Sequence, residues 1–178
     1  MEENMEIWDV YDVLRNPTGK THQRGKPMEA GEYHMVVHGC VFNSRGQMLI
    51  QQRQPFKEGW PNLWDVTASG SALAGETPQQ AMAREMLEEV GIAHDFEGIR
   101  PVLTINFDMG FADWFLIQRD DIDCQTLRLQ PEEVQAVRWA SLEEILQMIR
   151  DELFIPYEPS FIEFLFTRLG RMGCHRDA

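Results

Sequence analysis

The chain has 178 residues, 43% of them hydrophobic and 25% charged, which fits one globular domain with its own core and short additions. A formal net charge of −13 argues against a nucleic-acid backbone or an anionic membrane as the main partner, and no apolar run approaches the roughly 20 residues that span a bilayer. The acidic start MEENMEIWDV has no apolar signal segment, and Cys40, Cys124 and Cys174 are widely spaced without a CxxC pair. Reduced thiols in a cytoplasmic protein are therefore expected.

In chain order, residues 1–30 read as an N-terminal extension, with one or two short strands within 6–30, where Ile7, Val10, Tyr11, Val13 and Leu14 mix with the turn-formers Asn16-Pro17-Thr18-Gly19, and with a loop from His22 to Ala30. The main domain is expected over residues 31–170, followed by a flexible tail over 171–178. Tyr33–Phe42 is a mostly apolar run suited to a buried strand, with Met35 as core, and the turn Asn43-Ser44-Arg45-Gly46 returns the chain through Gln47–Gln54, with Met48 as core. This pair predicts a hairpin. A loop containing Pro55, Gly59 and Pro61 leads to a short strand over Leu63–Ala68. After the central helix, strands are predicted over Ile99–Phe107 and Trp114–Arg119 with a turn at Met109-Gly110, then over Val134–Trp139. Ser141 with Glu144, and Ser160 with Glu163, have the capping-box spacing before helices over Leu142–Met148 and Phe161–Leu169. Strands interleaved with three helices predict an α/β fold, a mixed sheet between helices. The closing helix (Phe161, Phe164, Leu165, Phe166) covers either its own sheet or a second subunit, and a homodimer is the expectation.

The informative stretch is Gly70–Ile92, GSALAGETPQQAMAREMLEEVGI. Thr77 suits an N-cap, Pro78 the first helical position, Gln80 a capping box, and Gly91 a left-handed stop. Met82, Ala83, Met86, Leu87 and Val90 form a broad apolar face, and Glu85, Glu88 and Glu89 share the face beside it. Like charges at this spacing repel by roughly 0.2–0.5 kcal/mol per pair, and the negative end of the helix dipole adds about 0.3–1 kcal/mol per charge. A divalent cation turns that penalty into attraction, and oxygen-only ligands favour Mg²⁺ or Mn²⁺. The competing reading is a solvated acidic face in which Arg84 pairs with Glu88.

The stretch resembles the Nudix box: Gly70, Glu76, Arg84, Glu85, Met86, Glu88, Glu89, Gly91 and Ile92 occupy its fixed positions, and only Met86 replaces the usual branched aliphatic. The resemblance covers most of residues 33–150 and implies the Nudix α/β/α sandwich. It also implies that Glu85, Glu88 and Glu89 bind catalytic metal with the Gly70 carbonyl, that Arg84 orients the carboxylates, and that Glu76 is secondary. Metal neutralises the repulsion between a diphosphate and an attacking hydroxide, and a nearby carboxylate takes the proton. Glu85 is the favoured base, with Asp108 and Asp113 as spare carboxylates. Arg53 and Lys57 are candidate phosphate contacts, and Trp64 with Trp60 candidate stacking surfaces, against solvent-exposed and core alternatives.

The segment Glu32–Glu76 looks like the isopentenyl diphosphate isomerase branch, sharing His34, Phe42-Asn43, Gly46, Arg53, Trp60-Pro61 and Trp64. That isomerase needs a cysteine just before the box glycine and a metal-binding histidine just after it; here stand Ser69 and Ser71. A serine hydroxyl has far too high a pKa to replace the thiol, and His22 and His34 have no complete constellation. The pattern implies an isomerase-like hydrolase of a small-molecule diphosphate: a nucleoside diphosphate or triphosphate, or a nucleoside diphosphate linked to another moiety. A non-catalytic nucleotide sensor is the remaining alternative.

Overall fold

The computed structural model describes residues 6–171 with Gly173 and His175; Cys174 and most of the expected tail lie outside these. Strands β1 (Ile7–Tyr11) and β2 (Pro17–Gln23) pair as an antiparallel hairpin of their own. The main sheet comprises β3 (His34–Phe42), β4 (Met48–Arg53), β5 (Trp64–Asp65), β6 (Ala68–Ser71), β7 (Leu103–Phe107), β8 (Gly110–Gln118) and β9 (Val134–Ala140). Its path runs β5-β4-β3-β8-β7, with β6 on β3 and β9 on β4; β3 and β8 are parallel and the other pairs antiparallel, so the sheet is mixed.

Three helices cover it: α1 (Pro78–Val90), α2 (Leu142–Arg150) and α3 (Pro159–Arg168). Alternation along the strands sorts the core into two layers. Met35, Val37 and Val41 of β3 and Phe111 and Phe115 of β8 pack on Met82, Met86 and Val90 of α1. Cys40 and Phe42 with Ala112 and Trp114 face Ile145 and Met148 of α2 and Ile162 and Leu165 of α3. Thus α3 buries its apolar side on its own sheet, and no second subunit is needed to cover it. No helix among the described residues is long and apolar enough to cross a membrane.

Several local expectations shift. The predicted hairpin holds only at its tip, where Val41 faces Leu49 and Phe42 faces Met48. The strands then part, and the Thr67 hydroxyl bridges the gap, accepting from Val41 N–H at 2.9 Å and donating to the Leu49 carbonyl. That leaves room for β6 to pair with the first half of β3, and the strand expected over 63–68 becomes two, β5 and β6. Residues 99–102 fall outside β7, and β8 begins at Gly110, the residue expected in the turn. Helix α3 starts earlier, at Pro159, with Glu158 at the N-cap and no side-chain cap bond, because proline fits the first turn and draws Ser160 inside the helix.

Candidate active site

Helix α1 begins and ends as its sequence dictates. Thr77 Oγ1 accepts from Gln80 N–H at 3.2 Å, Gln80 Oε1 accepts from Thr77 N–H at 2.9 Å, and Gly91 closes the helix at φ 70°. Met82, Met86 and Val90 are fully buried, but Leu87 is exposed, so the apolar face is narrower than the sequence suggests. The core-facing arc instead takes in Glu89, which is 4% exposed.

Burying Glu89 sets the geometry. Its Oε2 accepts from Gln51 Nε2 at 2.9 Å and from Ser69 N–H at 3.0 Å, one partner from β4 and one from β6. Burial pushes its proton affinity well above the usual carboxylate range, and Glu85 adds to the rise while these two donors oppose it. Glu85 lies against Gly70 of β6, so closely that a β-carbon there would overlap its carboxylate. Burial lifts the Glu85 pKa to about 7; Arg84 pulls it down, and Glu88 and Glu6 push it up.

Arg84 is the clamp. Its Nε and Nη2 donate to the two oxygens of Glu76 at 2.8 and 2.9 Å, a fork-on-fork pair. Nη1 reaches Glu85 at 2.8 Å and Glu88 at 3.3 Å, and Nη2 also donates to the Ser71 carbonyl at 3.1 Å. The helix-surface pair Arg84–Glu88 thus exists but is the longest of the set. Burial works against the charge on Glu76, yet Arg84 and the Leu73 N–H hold its pKa below the usual value.

Most of these groups line one cavity of about 250 Å³. Gly70, Arg84, Glu85, Glu88 and Glu89 are all in it, and so are Arg53 and Lys57. Lys57 is paired with Glu133, and Arg53 Nε donates to the Gly59 carbonyl at 3.0 Å. Glu76 grips Arg84 without lining the cavity, and Trp60, Trp64, Asp108 and Asp113 stand elsewhere. Trp64 packs in β5 with Arg138 over its ring at 5.3 Å. Asp108 is exposed in the β7–β8 turn. Asp113 is buried on β8, bonded to Arg15 at 2.9 Å and to Thr104.

The cavity has walls that the sequence reading did not single out. Glu6, Trp8 and Arg24 come from the N-terminal hairpin, with Arg24 paired to Glu6 at 2.7 Å and Trp8 stacked on His34 at 4.3 Å. Gln51, behind Glu89, was equally unmarked. It opens the polar run Gln51-Gln52-Arg53 that follows Met48–Ile50, so nothing local in the sequence sets it apart.

The NUDIX domain family matches residues 32–159. The chain belongs to the Nudix family. As a Nudix hydrolase it is a pyrophosphohydrolase, an enzyme of phosphorus-containing acid anhydrides. It is 48% identical to an uncharacterised Nudix hydrolase of Listeria monocytogenes, over 96% of this chain and 99% of that protein. It is also 28% identical to an isopentenyl-diphosphate Δ-isomerase of Corynebacterium diphtheriae, over 91% and 92% of the two chains. A solved structure from Deinococcus radiodurans shares the fold with a TM-score of 0.69 at 24% identity, covering 90% and 97%.

Nudix hydrolases generally use a divalent metal, and the donor set of this Nudix site suits a hard cation: carboxylate and carbonyl oxygens only, beside a glycine without a side chain to obstruct them. Among the described residues no three His, Cys, Asp or Glu side chains already converge as a metal-binding group. Arg84 draws Glu85 and Glu88 to itself while Glu89 is held by Gln51 and Ser69.

Proposed function

We propose that this Nudix hydrolase cleaves the diphosphate linkage of a small-molecule substrate with Mg²⁺ (or Mn²⁺). The observation that carries the reading is the Arg84 clamp, which gathers Glu76, Glu85 and Glu88 beside the bare backbone of Gly70 and the buried Glu89. Glu85, Glu88, Glu89 and the Gly70 carbonyl would hold the cation. Bound there, it supplies charge neutralisation for the phosphates and acidifies its water.

The chain's own residues do the rest. Arg84 fixes the carboxylates in place, and Glu76 fixes Arg84. Arg53 and Lys57 face the cavity as phosphate contacts, Lys57 exchanging Glu133 for the incoming anion. Water attacks phosphorus, the bridging P–O bond breaks, and Glu85, buried beside Gly70 in the cavity, takes the proton. Asp108 and Asp113 do not line the cavity, which sets these two aside as bases. Nucleoside diphosphates and triphosphates, and nucleoside diphosphates linked to another moiety, fall within this class; the carboxylate cavity itself addresses only the diphosphate.

The isomerase alternative gains nothing from the site. Ser69 and Ser71 line the cavity in place of the thiol and imidazole, and His34 is stacked against Trp8 with its pKa lowered by burial to about 4.

The test is product release from a panel of nucleotides and other diphosphates, including isopentenyl diphosphate, with and without Mg²⁺, alongside Glu88→Gln. Phosphate or nucleoside monophosphate release that needs both metal and Glu88 supports the hydrolase. Alkene migration without phosphate release would overturn it in favour of the isomerase, and nucleotide binding without turnover would favour a sensor.

A further inference from the structure

On the sheet face opposite α1, beside the carboxylate cavity, lies a groove of about 730 Å³, within the size range of small-molecule sites. Its walls are aromatic: Trp60 from the β4–β5 loop, Phe107 from β7, Trp114 from β8, and Tyr157 and Phe161 at and before α3. Trp60 is 51% exposed and Phe107 38%, so the groove presents apolar surface to solvent.

The groove adjoins the cavity. Val36 lines both. Across the β3–β6 ladder, Val36 stands opposite Ser71 and His38 opposite Ser69; the serines line the cavity, while Val36 and His38 line the groove. Directly opposed side chains start about 5 Å apart, a few covalent bonds. A group esterified to a diphosphate in the cavity therefore reaches the groove at once.

Its chemistry is selective. His38 is stacked flat on Trp114 at 4.1 Å, and burial keeps it neutral. His38 Nδ1 and Trp114 Nε1 are buried, not presented to an occupant. Among the described residues that line it, Glu158 is the single charged side chain apart from neutral His38, and it is negative. No Asn, Gln, Ser, Thr, Lys or Arg side chain lines it, so ribose hydroxyls lose their water without replacement and a further phosphate meets a carboxylate.

We propose that this groove takes the uncharged hydrocarbon group of an organic diphosphate ester, so that the substrate is an alkyl or alkenyl diphosphate rather than a nucleotide. The inference rests on the diphosphate-cleaving reading of the neighbouring cavity. The balanced reaction is water attacking the terminal phosphorus and the P–O–P bond breaking, giving alkyl monophosphate, orthophosphate and one proton.

The test uses the full chain with Mg²⁺ and a series of methyl, five-carbon and ten-carbon diphosphates beside cytidine and adenosine diphosphate. Each buried methylene is worth roughly fourfold, so kcat/KM rises by at least about tenfold from methyl to five carbons before levelling off. The ten-carbon to methyl ratio collapses towards one in Trp60→Glu and in Phe107→Glu, two exposed positions whose substitution leaves the core intact. Equal rates along the series, or preferred nucleotides with a ratio unmoved by both variants, overturn the inference and leave the hydrolase standing. Failure to cleave any diphosphate overturns both.

Discussion

Replacing Gly70 by alanine separates the fold of this protein from its chemistry. The backbone at Gly70 is not left-handed, so alanine is conformationally acceptable there, but its β-carbon would overlap the Glu85 carboxylate. The strand cannot move, since it is paired with β3 through Val37, so the flexible Glu85 side chain gives way. That breaks the 2.8 Å bond from Arg84 Nη1, and losing a charge-assisted hydrogen bond costs about 1.5–3 kcal/mol. Alanine's smaller unfolded-state entropy returns about 0.4–1 kcal/mol. The net loss is about 1–2 kcal/mol, a fall in Tm of roughly 2–8 °C for a chain of this length. A displaced general base costs about 10²–10⁴ in rate. Thermal melts and kcat/KM for the best diphosphate should therefore diverge: a folded protein, at least about a hundredfold less active. Because the substitution acts through Glu85, Gly70→Ala should add almost nothing to Glu85→Gln. Activity within threefold of the parent, or fully additive losses, would refute the reasoning.

Other substitutions probe the supports. Arg84→Lys keeps the charge but loses the fork onto Glu76, and kcat should fall by about tenfold to a hundredfold, since lysine cannot grip two oxygens at once; unchanged kcat would show that charge alone suffices. Gln51→Leu leaves Glu89 with only the Ser69 N–H, and the Mg²⁺ concentration for half-maximal rate should rise about 10–100-fold, read from metal titrations of activity. His38 supplies a pH test. Its folded pKa of about 4 lies below the ordinary 6.5, so the unfolded chain binds the proton first; stability is unaffected above pH 6.5 and falls between pH 6.5 and 4, by up to about 3 kcal/mol. Urea titrations at pH 7.5 and 5 should show a smaller acid loss for His38→Phe than for the parent, and equal losses would remove His38 as a cause.

Much of this was legible in the sequence because it is local. Thr77, Pro78, Gln80 and Gly91 act within one turn of themselves, and the helix they bound is the helix observed. Helix spacing likewise puts Arg84 within reach of Glu88, and the two are paired. What hides is whatever depends on strands meeting. Gln51 becomes Glu89's partner only because β4 passes beneath the last turn of α1, and Thr67 matters only where β3 and β4 part. Trp64 and Trp60 look equivalent in GWPNLWD, yet strand pairing turns one under Arg138 and leaves the other beside the groove. Helix spacing puts Glu89 on one face with Glu85 and Glu88; its burial, and the donors that make it tolerable, are tertiary facts.

The N-terminal hairpin changes what counts as the minimal enzyme. The family match begins at residue 32, yet Glu6, Trp8 and Arg24 stand in the wall of the carboxylate cavity, and Arg15 reaches across to Asp113 on β8. At the other end the match stops at 159, two residues short of Phe161. A chain trimmed to those limits would keep every residue of the Nudix box and lose part of the vessel around it.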